Sequence, residues 1–246
     1  MKPIIFALLI GLSMNSFAQD GTDKRERKYD KEKMKQFMPA MTRTAGVSFQ
    51  SFDGLNARVA GQPQYDPLKD HAFTLGLGWM KEMNRVVSDM GFTVGSSLTR
   101  KRDEQSSTIR HIGFNANIGY DILKSEKVTL YPLVGLGAQH YQAVFYRDNS
   151  AVDFDDVLGS PTVRNSIEPV KFNNRFFVYR AGIGVAFKSP KYPSNSIGLQ
   201  AGYTGSFRKH AWKSSAGQSL DNAPEDRISQ FYVTLVLASS PWMMKK

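Results

Sequence analysis

The sequence predicts an all-β protein: an eight-stranded, antiparallel, up-and-down transmembrane β-barrel with short periplasmic turns and long outer loops. Three observations carry that expectation. Eight segments alternate apolar and small polar residues with a period of two, as strands with two different faces do. Their polar positions hold glycine and amides where a water-facing strand would hold Lys, Glu and Thr. The connections between them alternate long and short along the chain, the asymmetry of bacterial barrels.

The clearest segment is His111 to Ile122. Ile112, Phe114, Ala116, Ile118, Tyr120 and Ile122 share one parity, against Gly113, Asn115, Asn117, Gly119 and Asp121 on the other. Gly46 to Phe52 precedes it, with Val47 and Phe49 outward. His71 to Met80 sets Phe73, Leu75, Leu77 and Trp79 against Thr74, Gly76 and Gly78. Val86 to Leu98 sets Met90, Phe92 and Val94 against Asp89, Gly91, Thr93 and Gly95. Val128 to Tyr146 alternates too, but Pro132 cannot donate to a ladder, and a bulge is expected there. Phe176 to Phe187 turns Phe177, Tyr179 and Ile183 outward and Arg180, Gly182 and Gly184 inward. Ile197 to Phe207 and Ile228 to Leu237 complete the set, with Gln200 and Tyr232 inward.

A soluble lipocalin-type barrel also has eight alternating strands. Its apolar face would line a cavity, and here that face is too bulky for a small calyx. Bulky residues facing acyl chains, with glycine and amides filling a narrow interior, fit the pattern better. Trp79, Tyr120 and Phe187 at one end and Phe177, Tyr203 and Phe207 at the other are consistent with two interfacial girdles.

Composition agrees. Mean hydropathy is negative, as expected of strands that are only half apolar. The net charge of +10 lies mostly outside the strand-like runs, in Lys24 to Lys35 and Arg100 to Arg102. It points to lipid headgroups, lipopolysaccharide phosphates or an acidic partner rather than nucleic acid. Cysteine is absent, which excludes disulfides and thiolate metal sites. Residues 1–18 read as a secretory signal peptide, with Lys2, the apolar run Pro3 to Met14, and Ser16-Phe17-Ala18 as the cleavage site. Residues 19–44 read as a charged periplasmic leader in which Lys24 to Met38 could form a short helix ended by Pro39. The barrel is expected over 45–238, followed by a tail over 239–246.

The signal ending Ser16 to Gln19, the repeated glycine-amide faces, and Leu130 to Gly137 (LYPLVGLG) resemble the small outer-membrane barrels of Bacteroidetes-type bacteria. That broad group includes OmpA-like transmembrane barrels and PorT-like accessory barrels of a secretion and gliding apparatus. The resemblance implies an outer-membrane location and insertion by the barrel assembly machinery. Such chains usually end on an aromatic residue, whereas this one ends ASSPWMMKK, so Phe231, Val233 and Leu235 would have to serve as an internal signal.

No phosphate loop, zinc motif or nucleophile elbow is present. The four histidines, His71, His111, His140 and His210, map to the outer half, without a Ser and an acid at matching depth on adjacent strands. Asp153, Asp155 and Asp156 have a spacing that occurs in Ca²⁺ loops, but a solvated acidic loop is the simpler reading. No cofactor or metal site is expected. The residues singled out are inward polar ones: Asp89, Asn115, Asn117, Asp121, Arg180, Gln200 and Tyr232, expected to form an ion-pair and amide network. The function expected is non-enzymatic: a structural, adhesive or accessory subunit acting through its outer loops or its leader. Its partners would be outer-membrane lipid, lipopolysaccharide, the assembly machinery and a periplasmic or membrane protein. A lipid A or phospholipid modifying enzyme, a narrow channel and a secretion-machinery barrel remain the alternatives.

Overall fold

In the computed structural model, residues 38–98, 105–190 and 195–239 are described. The signal peptide, the leader to residue 37 with its expected helix, and the tail from residue 240 lie outside them. So do 99–104 and 191–194.

Eight long strands make the wall: β1 (Ala40–Gln50), β2 (His71–Met83), β3 (Val86–Ser96), β4 (Ser106–Tyr120), β5 (Val128–Tyr146), β6 (Val170–Lys188), β7 (Ser196–Ser206) and, after three short pieces, β11 (Ser229–Ser239). Each pairs antiparallel with its sequence neighbour. β11 closes the wall on β1, with Met41 opposite Ser239 and Gln50 opposite Gln230. A closed wall leaves no unpaired edge, which is what permits strands to cross hydrocarbon.

The wall is taller than expected at the long-loop end. β4 starts at Ser106 and β6 at Val170. At the opposite, short-turn end β1 starts at Ala40, inside the segment read as leader. Met41 and Arg43 pair with both β2 and β11, so backbone pairing overrides a local sequence that looks like a polar tail. The β2–β3 turn tightens to Asn84 and Arg85, both at positive φ (51° and 70°), as a two-residue hairpin demands. Arg85 is held there by its side chain, which donates to the Asp121 carbonyl at 3.0 and 2.6 Å.

The expected bulge at Pro132 does not occur. The β5–β6 register runs unbroken through Pro132 opposite Ile183. On the β4 side the ladder stops at Gly119 opposite Leu133, and pairing resumes with Ile122 N–H donating to the Leu130 carbonyl at 2.9 Å. Proline therefore sits in a two-residue gap near the end of β4, where a missing donor costs little.

The outer loops are folded rather than simple coils. The first contains α1 (Asp53–Ala60), and the third contains α2 (Phe154–Gly159) and α3 (Pro161–Ile167). The fourth contains β8 (His210–Ala211), β9 (Lys213–Ser214) and β10 (Glu225–Asp226). β9 extends the sheet beside β6, and β10 pairs with β8.

Candidate functional site: sealed lumen and outer crown

The outside of the wall is apolar where the alternation placed it. Leu75, Leu136 and Phe177 are 62 %, 62 % and 74 % exposed, and Phe73, Phe92, Ile112, Val134, Leu199 and Phe231 are exposed with them. A water-soluble monomer does not show so continuous an apolar surface. No helix among the described residues is long and apolar enough to cross a membrane; the strands do. Outward aromatics cluster toward the outer end, with Tyr179–Phe207 and Tyr203–Phe231 ring centroids each 5.3 Å apart. At the short-turn end the Arg85 guanidinium lies 4.5 Å from the Tyr120 ring centroid. The chain is an outer-membrane barrel protein, with its long loops outward and its short turns toward the periplasm.

Inside, the polar residues of several strands converge. Arg180 on β6 donates to Asn115 Oδ1 on β4 at 2.7 Å. Asn117 Nδ2 donates to the same Asn115 oxygen at 3.1 Å and also to Asp89 Oδ1 on β3. Gln200 Nε2 on β7 donates to Asp89 Oδ2 at 3.2 Å and to the Tyr131 hydroxyl at 3.0 Å. The Arg180 guanidinium lies 4.2 Å from the Tyr232 ring centroid. One cation and one carboxylate thus meet through two amides, spread across the lumen. Gly184 and Gly182 make room: a Cβ on Gly184 would collide with the Tyr131 ring, and one on Gly182 with the Ala201 carbonyl and the Tyr232 hydroxyl.

Six of the seven expected residues are therefore neighbours. Asp121 is not among them. Its carboxylate Oδ1 accepts from Leu123 N–H and Leu130 N–H, each at 3.2 Å, at the periplasmic turn. Parity places it inward, but depth places it at the strand end, where it supports the gap around Pro132. Tyr131 belongs to the network and was not among the expected residues. Its inward parity was legible, but its partner Gln200 is 69 residues away.

Above the network lies an apolar cap with no counterpart in the sequence reading. Phe52, Leu55, Val59 and Leu68 of the first outer loop pack on Tyr141, Phe145 and Phe176 of the wall and on Trp212 and Ile228 of the fourth loop. Trp212 is 1 % exposed. Phe52 packs edge-to-face on Tyr141 at 5.2 Å and on Trp212 at 5.5 Å. The cap is locked by Asp226, whose carboxylate accepts from Gly54 N–H at 2.7 Å, Leu55 N–H at 3.0 Å and Trp212 Nε1–H at 2.7 Å. A carboxylate on the first N–H groups of a helix satisfies donors that have no partner within it, and complements its dipole. Loop one is further closed by Asn56, which bonds both backbone groups of Leu68, at 2.8 and 3.3 Å.

The acidic third loop uses its carboxylates locally. Asp153 caps α2 by accepting from Asp155 N–H at 2.8 Å. Among the described residues, no group of three or more His, Asp or Glu is placed to hold a metal ion. α2 presents Phe154 and Leu158, one turn apart and 74 % and 72 % exposed.

No family model matches the chain, and no curated protein matches it. Solved structures do. It is similar to Ail, the attachment invasion locus protein of Yersinia pestis, at 14 % identity over 82 % of this chain and 99 % of that one, TM-score 0.42. It is similar to Neisserial surface protein A at 12 % identity over 80 % and 95 %, TM-score 0.41. It is also similar to a major outer membrane protein of Thermus thermophilus, at 11 % identity over 81 % and 98 %, TM-score 0.45. Likeness this distant carries no reading of function.

Proposed function

We propose that this barrel is a non-enzymatic, non-conducting binding or accessory subunit of the outer membrane, whose working surface is its crown of outer loops. The observation that carries the reading is the contrast between lumen and crown. The lumen is crossed by an amide and charge network and covered by an apolar cap, which leaves little room for a solute. On the crown, the short helix α2 displays Phe154 and Leu158 to solvent, an apolar pair without a covering element among the described residues. A protein partner that buries both would use the loop in an adhesive or accessory role. Leu130 to Gly137 resembles a run in small Bacteroidetes-type outer-membrane barrels, a broad group that includes accessory barrels, and a subunit of a larger envelope assembly is compatible with it. Insertion by the barrel assembly machinery through β11 belongs to the same reading. The leader is a second, periplasmic contact for a protein partner.

Affinity purification from cross-linked outer membranes tests the proposal. The wild-type chain should retain a specific protein, and Phe154→Asp with Leu158→Asp should lose it while the barrel remains folded. Equal retention by the double variant would refute the crown reading. The lipid-modifying enzyme makes the opposite prediction: release or transfer of acyl chains from lipopolysaccharide or phospholipid by the purified barrel.

A further inference from the structure

We propose that the outer flank of β4, β5 and β6 binds one phosphorylated acyl lipid of the outer leaflet, with its phosphate beside Arg175 and Lys213 and its chain in the groove below. The argument begins with register. Directly opposed residues on neighbouring strands share a face. Phe92, Phe114, Ala138 and Phe177 are opposed in turn across β3 to β6 and form an outward apolar row. One step further out on the same face, Ile112, His140 and Arg175 are opposed. One step beyond that come Arg110, Gln142, Asn173 and, through β9, Lys213. The outward face therefore changes from wholly apolar to basic over four residues of strand, roughly 13 Å or less of depth at the usual rise. That is the change an outer-leaflet lipid makes from acyl chain to phosphate.

The same place is concave. The fourth loop is tied over β6 by two side chains of the wall: Asn173 Nδ2 donates to the Ser215 carbonyl at 3.1 Å, and Asn174 Nδ2 to the His210 carbonyl at 2.8 Å. Between that overhang and the wall lies a cleft of about 770 Å³, floored by Phe114, Ala138 and Phe177 and edged by His140, Arg175 and Lys213. Sites for small ligands span roughly 300–1,000 Å³. The side chains of Arg175 and Lys213 are exposed, and no carboxylate among the described residues is paired with either. A cationic pair above an apolar floor is complementary to a phosphorylated lipid, and a lipid without phosphate leaves those cations unanswered.

This proposal rests on the orientation of the barrel in the membrane and is independent of a protein partner at the crown, so either can fail alone. The test is native mass spectrometry of the full barrel in detergent, titrated with lipid A and with dephosphorylated lipid A. The wild type should hold one lipid A molecule and bind the dephosphorylated form at least tenfold more weakly. Arg175→Gln with Lys213→Gln should weaken lipid A binding roughly thirtyfold, the usual effect of removing two basic side chains near an anionic surface. Lys127→Gln, which removes one charge at the opposite end, should leave it unchanged. The intact heat-modifiable band of each variant shows that it is folded. Equal binding of both lipids, or undiminished binding by the double variant, would mean a non-selective lipid annulus and would overturn the proposal.

Discussion

Replacing Asp226 by Ala should open the apolar cap while leaving the barrel wall intact. Its carboxylate, 5 % exposed as a residue, receives two backbone donors at the start of α1 and the Trp212 indole. Hydrogen bonds to a charged group contribute about 1.5–3 kcal/mol each. When the cap lifts, water replaces part of that, so the net loss for three bonds is about 3–4 kcal/mol rather than their sum. A factor of ten in an equilibrium corresponds to about 1.4 kcal/mol, so the open fraction should rise roughly 10²–10³-fold. Amide hydrogen exchange is the direct assay, because local opening sets the exchange rate. The amides of Leu55 to Val59 should exchange roughly 10²–10³-fold faster, and those of mid-wall residues such as Ala116 and Leu136 should not change. Trp212 emission should shift to the red in a background where Trp79 and Trp242 are Phe. Asp226→Asn, which keeps the shape and one acceptor, should fall between. A change in α1 exchange of less than tenfold in Asp226→Ala would refute the idea that this carboxylate holds the cap.

Arg180→Ala should cost about 2–4 kcal/mol, from the lost charged hydrogen bond to Asn115, the ring contact with Tyr232 and the stranded Asp89 carboxylate. It should lower the unfolding midpoint in denaturant without producing steady currents in planar bilayers, and steady currents would contradict a plugged lumen. Gly184→Ala should displace the Tyr131 ring and cost about 1–3 kcal/mol, read as a lower temperature of the heat-modifiability transition. Leu136→Arg, on the outward face near the middle of the wall, should cost about 2–4 kcal/mol in lipid refolding titrations. The same substitution at Phe154, on the crown, should leave that stability within about 0.5 kcal/mol of wild type.

Facing was legible in the sequence, and depth was not. Period two is a property of the extended chain itself, so Phe92, Ile112 and Phe177 could be turned outward, and Asp89, Asn115 and Arg180 inward, without any knowledge of the fold. The alternation of long and short connections likewise followed from where turns interrupt that period. Asp121 shows the limit: it has the inward parity of Asn117 but lies at the periplasmic turn, bonded to Leu130 and Leu123. Pro132 is a second case, because its effect depends on where the β4 ladder ends, which no property of β5 states.

Local pattern alone established the closed, lipid-facing wall, since alternation, glycine-amide faces and turn spacing are written within a few residues of one another. Only the folded chain decided how the cylinder is stoppered. The cap joins α1 to Asp226 across more than 170 positions. Its helix is short and weakly amphipathic, burying only Leu55 and Val59. Contacts of that kind arise from closure of the wall, which brings the first and fourth loops together over one opening. The stretches from Asp53 and from Arg208, read separately, carry no periodicity that foretells their meeting.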